Sequence, residues 1–339
     1  MLLRRGPSVV ALFATLPVAA LALSLFAGRY PVPPGTVVHV LTGGLIGPAP
    51  APADAPVVHA VIFTQRLPRA LLALLTGAGM GLSGAAYQGI FRNPLVSQDV
   101  LGVTQGTAFG VVLGILLFGL SPAAQLLGIA VGLGSMALIM AMSRTRAGDP
   151  RLVLILAGVI ASALWSALIA LVKYVADPND ELPAITYWLM GSLSAASYGD
   201  VARVGTALAL GGAVLLGLRW RLNVLSLGDE EARALGVPAT VLRWLVIAAV
   251  TVMVSAEVAA TGVIGWVGLI VPHIGRMLVG PEHGRLLPAA MILGGSFMLV
   301  VDVLARTLTA AEIPLGILTA MLGAPLFLAL LQRTGGGWR

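Results

Sequence analysis

Cysteine is absent from the 339-residue chain, and lysine occurs once, at Lys173, among 20 basic residues. Without cysteine there can be no disulfides, no thiol nucleophiles and no metal sites built on thiolates. A Walker A loop ends in Gly-Lys followed by Ser or Thr, whereas Lys173 is followed by Tyr174 and Val175. The sequence therefore contains no P-loop, and any ATP-driven work must be done by another chain.

Charged residues are also scarce, at 10% of the chain against about a quarter in a typical soluble domain. Hydrophobic side chains make up 58% of the sequence. This composition excludes an ordinary soluble domain and predicts an integral membrane protein. The net charge of +6 then indicates membrane topology and contact with membrane lipid, and we expect no nucleic-acid partner.

Apolar runs of about 17 to 25 residues are long enough to cross a bilayer as helices. About ten such runs lie between charges or clusters of proline and glycine. They cover residues 9–27, 70–91, 101–120, 122–142, 152–172, 201–218, 242–261, 263–277, 286–303 and 314–331. The eighth run is too short and too rich in glycine to predict a full span. We expect a single all-α transmembrane domain over residues 1–339.

The distribution of basic residues predicts the orientation of these spans. With the amino terminus inside and an even number of spans, six basic residues lie outside: Arg29, Arg66, Arg69, Lys173, Arg203 and Arg306. The other fourteen lie on the cytoplasmic side, which agrees with the positive-inside rule. Both termini are therefore predicted to be cytoplasmic. Arg4 and Arg5 before an apolar run also fit a secretory signal, but no clean cleavage site follows, so the run is interpreted as the first span.

Seven prolines between Tyr30 and Pro56 predict an external connection that contains no buried regular element. His39 and His59 in and beside this stretch are twenty residues apart and have no third ligand beside them, so they are interpreted as isolated loop histidines. None of the 4 histidines in the chain belongs to an H-E-x-x-H motif or another close ligand pair. No metal site, cofactor or catalytic residue is predicted.

The segment from Gly79 to Gly84 matches the dinucleotide-binding pattern G-x-G-x-x-G. It lies inside an apolar run without a preceding strand, so nucleotide binding is a poor interpretation. Gly77, Gly81 and Ala85 instead follow one another at helical spacing, which predicts the close approach of a second helix.

Arg92, Asn93, Pro94 and Leu95 follow directly on this apolar run. The simplest interpretation is a turn where the chain reaches the cytoplasm. The functional alternative is a gate, in which Asn93 supplies a hydrogen bond and Leu95 an apolar constriction at the inner mouth.

The segment from Ser226 to Gly236 predicts one short helix, with Asp229 near its amino-terminal cap, Arg233 near its last turn and Gly236 at its end. A helix this short requires docking to be stable. Either a partner protein or the chain's own surface is a suitable docking site for this helix.

Glu257 lies inside the seventh run with apolar neighbours on both sides. Acids at membrane depth are costly and often functional. A proton or ion relay would use such a residue, but one acid does not make a relay, so polar packing or cavity lining is favoured. An ion-coupled secondary transporter centred on Glu257 is the alternative from another functional class.

Several sequence blocks, taken in order, resemble the permeases of the ferric-siderophore, haem and cobalamin importers. The blocks are Arg66-Leu67-Pro68-Arg69, Leu82-Ser83-Gly84-Ala85 with Gln88 and Arg92-Asn93-Pro94-Leu95, Leu101-Gly102-Val103, Tyr187 to Leu193, Ser226 to Gly236, Gly262 to His273 and Glu312 to Gly316. Their joint order is specific and covers nearly the whole chain.

The resemblance implies the type II ABC importer permease fold in a bacterial inner membrane. It implies a homodimer around a central path, two separate ABC ATPase subunits and a periplasmic substrate-binding protein. Asn93 and Leu95 match the inner gate of that family, and Arg66, Arg69 and Arg306 match arginines that meet acids of the binding protein. The residues that match the ATPase contact are Leu225, Ser226, Leu227, Gly228, Asp229, Glu230, Glu231, Ala232, Arg233, Leu235 and Gly236.

The resemblance predicts a transport subunit without its own ATPase site that passes an iron complex, either a ferric siderophore or haem. Cobalamin or an oxyanion is the alternative substrate. For the external arginines there is also a structural alternative, because they can anchor helices at lipid headgroups or pair with Asp302 and Glu312.

Overall fold

The computed structural model describes residues 7–51, 53–143 and 150–334, and all regular secondary structure in these ranges is helical. The helices are α1 (Pro7–Phe26), α2 (Pro34–Leu41), α3 (Ala55–Ala60), α4 (Leu67–Phe91), α5 (Val103–Phe118), α6 (Pro122–Met142), α7 (Pro150–Val175), α8 (Glu181–Leu189), α9 (Tyr198–Gly217), α10 (Arg219–Leu227), α11 (Asp229–Ala234), α12 (Ala239–Thr261), α13 (Val267–Val279), α14 (His283–Thr307) and α15 (Leu315–Thr334). A π-helical turn, Val61–Arg66, joins α3 to α4, and a 3₁₀ turn, Gln98–Leu101, precedes α5. The predicted all-α class is confirmed.

Ten of these helices carry the apolar runs found in the sequence. Within the described residues, six helices are long and apolar enough to cross a membrane, and four shorter apolar helices accompany them. The six are Ala55–Phe91, Pro122–Met142, Leu152–Val175, Tyr198–Gly217, Ala239–Thr261 and His283–Thr307. The four are Ala11–Phe26, Val103–Phe118, Val267–Val279 and Leu315–Ala329. Each overlaps one predicted run, so all ten predicted apolar helices are present, and six of them are long enough to cross a membrane.

Some of the predicted cytoplasmic arginines cannot be placed. Arg4, Arg5, Arg144, Arg146 and Arg339 lie outside the described residues.

Helix α4 lies at the centre of the fold, buried along nearly its whole length against α9, α12, α13 and α14. A Cβ atom added to Gly77 would lie 2.2 Å from the carbonyl oxygen of Gly294, and one added to Gly81 would lie 2.3 Å from that of Ala290. The predicted close approach of a second helix at these two glycines is therefore confirmed, and that helix is α14. The Gly79 to Gly84 pattern lies in the same buried helix and forms no nucleotide-binding loop.

Helix α13 is too short to span the membrane alone, as the sequence predicted for the eighth run. Its 13 residues rise about 20 Å, whereas the hydrocarbon core is about 30 Å thick. The chain before it leaves the helical conformation, with φ of 73° at Gly262 and 70° at Trp266. Irregular backbone is tolerated at membrane depth where protein covers it. Here the end of α8 provides this cover, and a Cβ on Gly262 would meet the carbonyl oxygen of Trp188 at 2.2 Å.

The proline-rich stretch after α1 differs from its prediction. It contains helix α2, in which Val37 is buried together with Val58 and Ile62. Pro34 is the first residue of this helix, where its fixed φ suits the helical conformation and its missing N–H leaves no hydrogen bond unmade. The expectation that no buried regular element forms here was wrong, because the prolines start the helix and do not interrupt it.

Candidate functional site

The predicted docking arginines converge where α1 ends and α4 begins. The Arg66 guanidinium donates to the carbonyl oxygens of Leu25 at 2.8 Å, Phe26 at 3.2 Å and Tyr30 at 2.6 Å. The Arg306 guanidinium donates to the carbonyl oxygens of Ser24 at 2.7 Å and Ala27 at 2.8 Å. The last carbonyls of a helix have no partner within the helix. Both buried guanidiniums therefore cap α1 and fasten it to α4 and α14.

Arg69 makes a second connection at the same place. Its Nε donates to Asp302 Oδ1 at 2.7 Å, and its two Nη atoms donate to the Glu312 carboxylate at 3.1 and 2.6 Å. Asp302 is fully buried and also lies 3.2 Å from Nε of Arg306. This pairing with Asp302 and Glu312 is the structural alternative that the sequence left open. The docking role of Arg66, Arg69 and Arg306 stays a prediction.

A cavity of about 340 Å³ opens beside this cluster. Its lining includes Arg29, Arg66, Arg69, Arg306, Ser194 and Glu312. Four arginines thus lie in a region with two carboxylates, Asp302 and Glu312, which gives it an excess of positive charge. Arg29 is the exposed member of the set, although its Nε donates to the Arg306 carbonyl oxygen at 3.1 Å.

At the other end of α4 the structure contains the predicted turn. Arg92 ends the helix in the left-handed conformation, with φ of 51°. The Asn93 N–H donates to the Gln88 carbonyl oxygen at 3.3 Å, and Asn93 Oδ1 accepts the Leu95 N–H at 2.9 Å. Leu95 is 55% exposed. Asn93 therefore holds the turn, and Leu95 projects from it; their role as a gate stays a prediction.

The predicted ATPase contact consists of parts of two helices, not one. Leu225, Ser226 and Leu227 end α10, Gly228 turns the chain with φ of 153°, and α11 begins at Asp229. The expected short helix is α11, with three acids in its first turn and Arg233 in its last, and glycine at this φ separates it from α10. Asp229 is the first residue of α11 and pairs with Arg243 of α12, which fixes α11 to the chain's own surface.

The members of this block divide clearly by burial. The buried members are Leu225, Gly228 and Ala232. The exposed members are Ser226, Leu227, Glu230, Glu231, Arg233, Leu235 and Gly236. Leu227 and Leu235 are 58% and 56% exposed, so two apolar side chains flank the acidic turn of α11. The block therefore presents an exposed surface of mixed apolar and charged character.

The sequence reasoning missed a group of polar side chains beside this block. Asn223 of α10 donates from Nδ2 to Glu282 Oε1 at 2.8 Å. Burial opposes ionisation of Glu282, but the hydrogen bonds from Asn223 and from the Gly284 N–H, with the charge of Arg285, hold the pKa of its carboxyl below the ordinary value. The signal in the sequence was the cluster of polar residues that flanks Gly280 and Pro281, between two apolar runs.

Glu257 is 1% exposed and packs against Gly79, where a Cβ atom would lie only 1.7 Å from Glu257 Oε1. Within the described ranges neither carboxyl oxygen of Glu257 has a hydrogen-bond partner. Whether Glu257 serves in polar packing, cavity lining or a relay stays a prediction.

The two histidines interpreted as loop residues lie on helices instead, His39 in α2 and His59 in α3, because the proline-rich stretch forms these two short helices. His39 Nδ1 lies 2.9 Å from the Gly47 carbonyl oxygen, and the His59 ring lies 4.6 Å from the Phe63 ring. Among residues 7–51, 53–143 and 150–334, no three His, Cys, Asp or Glu residues are grouped so as to hold a metal ion.

Comparison with known proteins gives consistent matches. The chain matches the FecCD transport family over residues 16–333. It is 47% identical over 286 residues to the molybdate import system permease protein MolB of Haemophilus influenzae, covering 83% of this chain and 84% of that protein. It is 41% identical over 276 residues to the hemin transport system permease protein HmuU of Yersinia pestis, covering 79% and 82%. It is 38% identical over 308 residues to the cobalamin import system permease protein BtuC of Halobacterium salinarum, covering 87% and 82%.

A solved structure agrees with these relatives. A metal-chelate type ABC transporter in an inward-facing conformation superposes with a TM-score of 0.85 and 44% sequence identity, covering 97% of this chain and all of that one. Residues 16–333, over which the family model matches, contain the turn after α4 and the α10–α11 block. The chain is therefore a multi-pass membrane protein of the FecCD transport family and a permease of the ABC importer class.

Proposed function

We propose that two copies of this chain form the translocation path of an ABC importer, with two separate ATPase subunits on the cytoplasmic side and a substrate-binding protein on the periplasmic side. The observation that carries the proposal is the exposed surface of α10 and α11, where Leu227 and Leu235 flank charged residues at one end of the molecule. The sequence has no P-loop, so a partner must hydrolyse the ATP. Each copy would act as a single transmembrane domain.

The substrate that fits the relatives best is a metal-containing solute. The named relatives import molybdate, hemin and cobalamin, which share a bound metal and little else. An iron complex, expected from the sequence, belongs to this class. Molybdate is the second candidate, because the molybdate permease shares 47% identity with this chain.

The proposed function is tested by reconstituting the permease in liposomes with its ATPase and binding protein. Uptake of a ferric siderophore, haem, cobalamin and molybdate is then measured with ATP, with and without an uncoupler. We expect uptake of one of the four that requires ATP and is insensitive to the uncoupler. Uptake without the ATPase that follows an ion gradient would instead favour a secondary transporter.

We also propose that both termini lie in the cytoplasm of a bacterial inner membrane. The arginine cluster and the α10–α11 block lie at opposite ends of α4, whose 25 residues extend over about 37 Å. This separation agrees with one external and one cytoplasmic contact surface. A phosphatase fused after Val57 should be active, and one fused at Arg339 should be inactive. The reverse pattern of activities would invert the topology.

A variant of α11 should separate ATPase binding from folding. Glu230 and Arg233 are exposed, so replacing both with alanine should change the free energy of unfolding by no more than about 0.5 kcal/mol. We expect co-purification of the ATPase and ATP-driven uptake to fall several-fold, because the replaced charges lie on the proposed contact. The control, Lys173→Ala with Asp180→Ala, removes one charge of each sign far from α11. Equal ATPase binding by the two variants would show that α11 is an ordinary loop element.

We propose that the binding protein docks over the cavity of about 340 Å³ beside Arg29 and Arg69, which we call the outer cavity. Arg66 and Arg306 already bind the carbonyls of α1, so they are better suited to supply positive charge than to bind a partner directly. Arg29 is exposed and can reach a carboxylate on a partner. A net positive cavity would attract an acidic surface and mainly accelerate association.

We infer that the structure has an open inner mouth, since it superposes on an inward-facing transporter.

A further inference from the structure

A hydrogen-bonded group links α10 to the start of α14. Asn223 Oδ1 accepts from the His283 backbone N–H at 2.7 Å and lies 2.8 Å from His283 Nδ1. The backbone N–H can only donate, so the atom that faces it is the Asn223 oxygen, and the amide nitrogen is left to donate to Glu282. His283 therefore donates from Nδ1, and the imidazole of this buried residue is fixed in position and in tautomer.

The other edge of the His283 ring rests on the last turn of α4. A Cβ atom added to Gly89 would lie 2.4 Å from His283 Nε2, so only a glycine lets the ring pack so closely. Gly89 also accepts, through its carbonyl oxygen, the N–H of Arg92 at 3.3 Å. His283 thus contacts the turn of α4 from which the Arg92 to Leu95 segment extends.

Gln88, the residue before Gly89, is held by contacts with α13. Gln88 Oε1 accepts a hydrogen bond from Arg276 of α13, and Gln88 Nε2 lies 3.4 Å from the carbonyl oxygens of Gly268 and Leu269. The Gln88 carbonyl oxygen accepts the Asn93 N–H. The carbonyl oxygens of Gln88 and Gly89 therefore accept the hydrogen bonds of the turn, while α13 contacts Gln88 and α14 contacts Gly89.

We propose that Asn223 and His283 transmit movement of the ATPase-contacting helices to the inner gate. They are positioning residues: they act through Gly89 on the turn that holds Asn93 and Leu95. Asn223 lies in the same helix as Leu225, Ser226 and Leu227, so a displacement of α10 moves its amide directly. Coupling of this kind is carried by contiguous contacts to an element with two arrangements, and the proposal assigns that part to the turn after α4.

This inference rests on the proposed function, because it assumes an ATPase contact and a gate. The absence of native cysteine makes it directly testable. Leu95→Cys places one reactive thiol on the exposed turn of an otherwise cysteine-free chain. Its rate of modification by a maleimide is measured in the assembled complex with the ATPase, without nucleotide and after trapping with ATP and vanadate. We expect trapping to change this rate.

Asn223→Ala and His283→Ala are then each combined with Leu95→Cys. We expect both variants to bind the ATPase and hydrolyse ATP, while the change in maleimide rate on trapping falls by about fivefold or more, as for the loss of a typical coupling between sites. Asn179→Ala is the matched control: it removes the same amide group from an exposed asparagine between α7 and α8, so the Asn223 to His283 contact stays intact. This control should keep the full response.

A full response of Leu95→Cys in both the Asn223→Ala and the His283→Ala backgrounds would overturn the inference. So would loss of ATPase binding in these variants, since the residues would then belong to the contact itself. Failure of the parent Leu95→Cys chain to bind any ATPase is a different result, which contradicts the proposed function. Asn223 is only half-buried, so Asn223→Ala keeps the test available should His283→Ala not fold.

Discussion

Replacing Gly77 with alanine should lower the free energy of unfolding by about 2 kcal/mol or more. The new methyl carbon would lie 2.2 Å from the Gly294 carbonyl oxygen and 2.7 Å from Met298 Cβ, so α4 and α14 would have to separate. Gly294→Ala should have a similar effect, because its Cβ would lie 2.1 Å from the Gly77 carbonyl oxygen. Backbone atoms in two packed helices cannot move aside as a flexible side chain does. The effect is measured by thermal or denaturant unfolding in detergent.

Gly134→Ala is the matched control for this prediction. Gly134 lies in helix α6, and nothing lies within 4 Å of a Cβ atom added there. Alanine in a helix interior is favoured over glycine by up to about 1 kcal/mol, so this variant should be neutral or more stable. Equal unfolding behaviour of Gly77→Ala and Gly134→Ala would show that α4 and α14 do not approach each other closely.

The long apolar elements were predictable because membrane thickness sets their length. Each span needs about 20 apolar residues, and each lies between charges or Pro and Gly clusters that the sequence displays directly. The close contact at Gly77 and Gly81 was predictable for a similar reason, since small residues at helical spacing mark a helix interface. These features depend on residues close together in the chain.

The contacts of the candidate sites depend on residues far apart, and the sequence could not predict them. Arg66 binds the carbonyl oxygens of Leu25 and Phe26, some forty residues earlier. Every residue has such a carbonyl, so no residue type marks the partner. Asn223 and His283 are sixty residues apart, and each alone is an ordinary polar residue near the end of an apolar run. Tertiary packing brings these groups together.

Replacing Arg69 with methionine should lower the free energy of unfolding by about 3 kcal/mol or more. The side chain of Asp302 has no exposed surface, and without Arg69 the one charged partner left to it among the described residues is Arg306, through Nε. Glu312 would also lose both of its hydrogen bonds from Arg69. Removing one partner of a buried ion pair is costly because the remaining charge is left without compensation. Unfolding in detergent, compared with the unaltered chain, measures this effect.

Neutralising Arg69, Asp302 and Glu312 together distinguishes a role of Arg69 in anchoring helices from a role in docking the binding protein. The variant Arg69→Met with Asp302→Asn and Glu312→Gln leaves no buried carboxylate without a partner, and Arg306 keeps its hydrogen bonds to the carbonyl oxygens of Ser24 and Ala27, so part of the lost stability should return. It also removes two negative charges and one positive charge beside the outer cavity. Association with the binding protein should therefore be as fast as for the unaltered chain or faster, because steering depends on net charge.

Arg29→Glu tests the same docking proposal at an exposed position beside the outer cavity. Arg29 is exposed, so the stability of this variant should be unchanged within about 0.5 kcal/mol. Its association with the binding protein should slow several-fold at low salt and lose part of its salt dependence, since one positive charge is reversed where the partner approaches. Arg66→Glu is unsuitable for this purpose, because it would place a carboxylate against three carbonyl oxygens and disturb folding. Unchanged association of Arg29→Glu across salt concentrations, with slower association of a stable triple variant, would show that Arg69 itself contacts the partner.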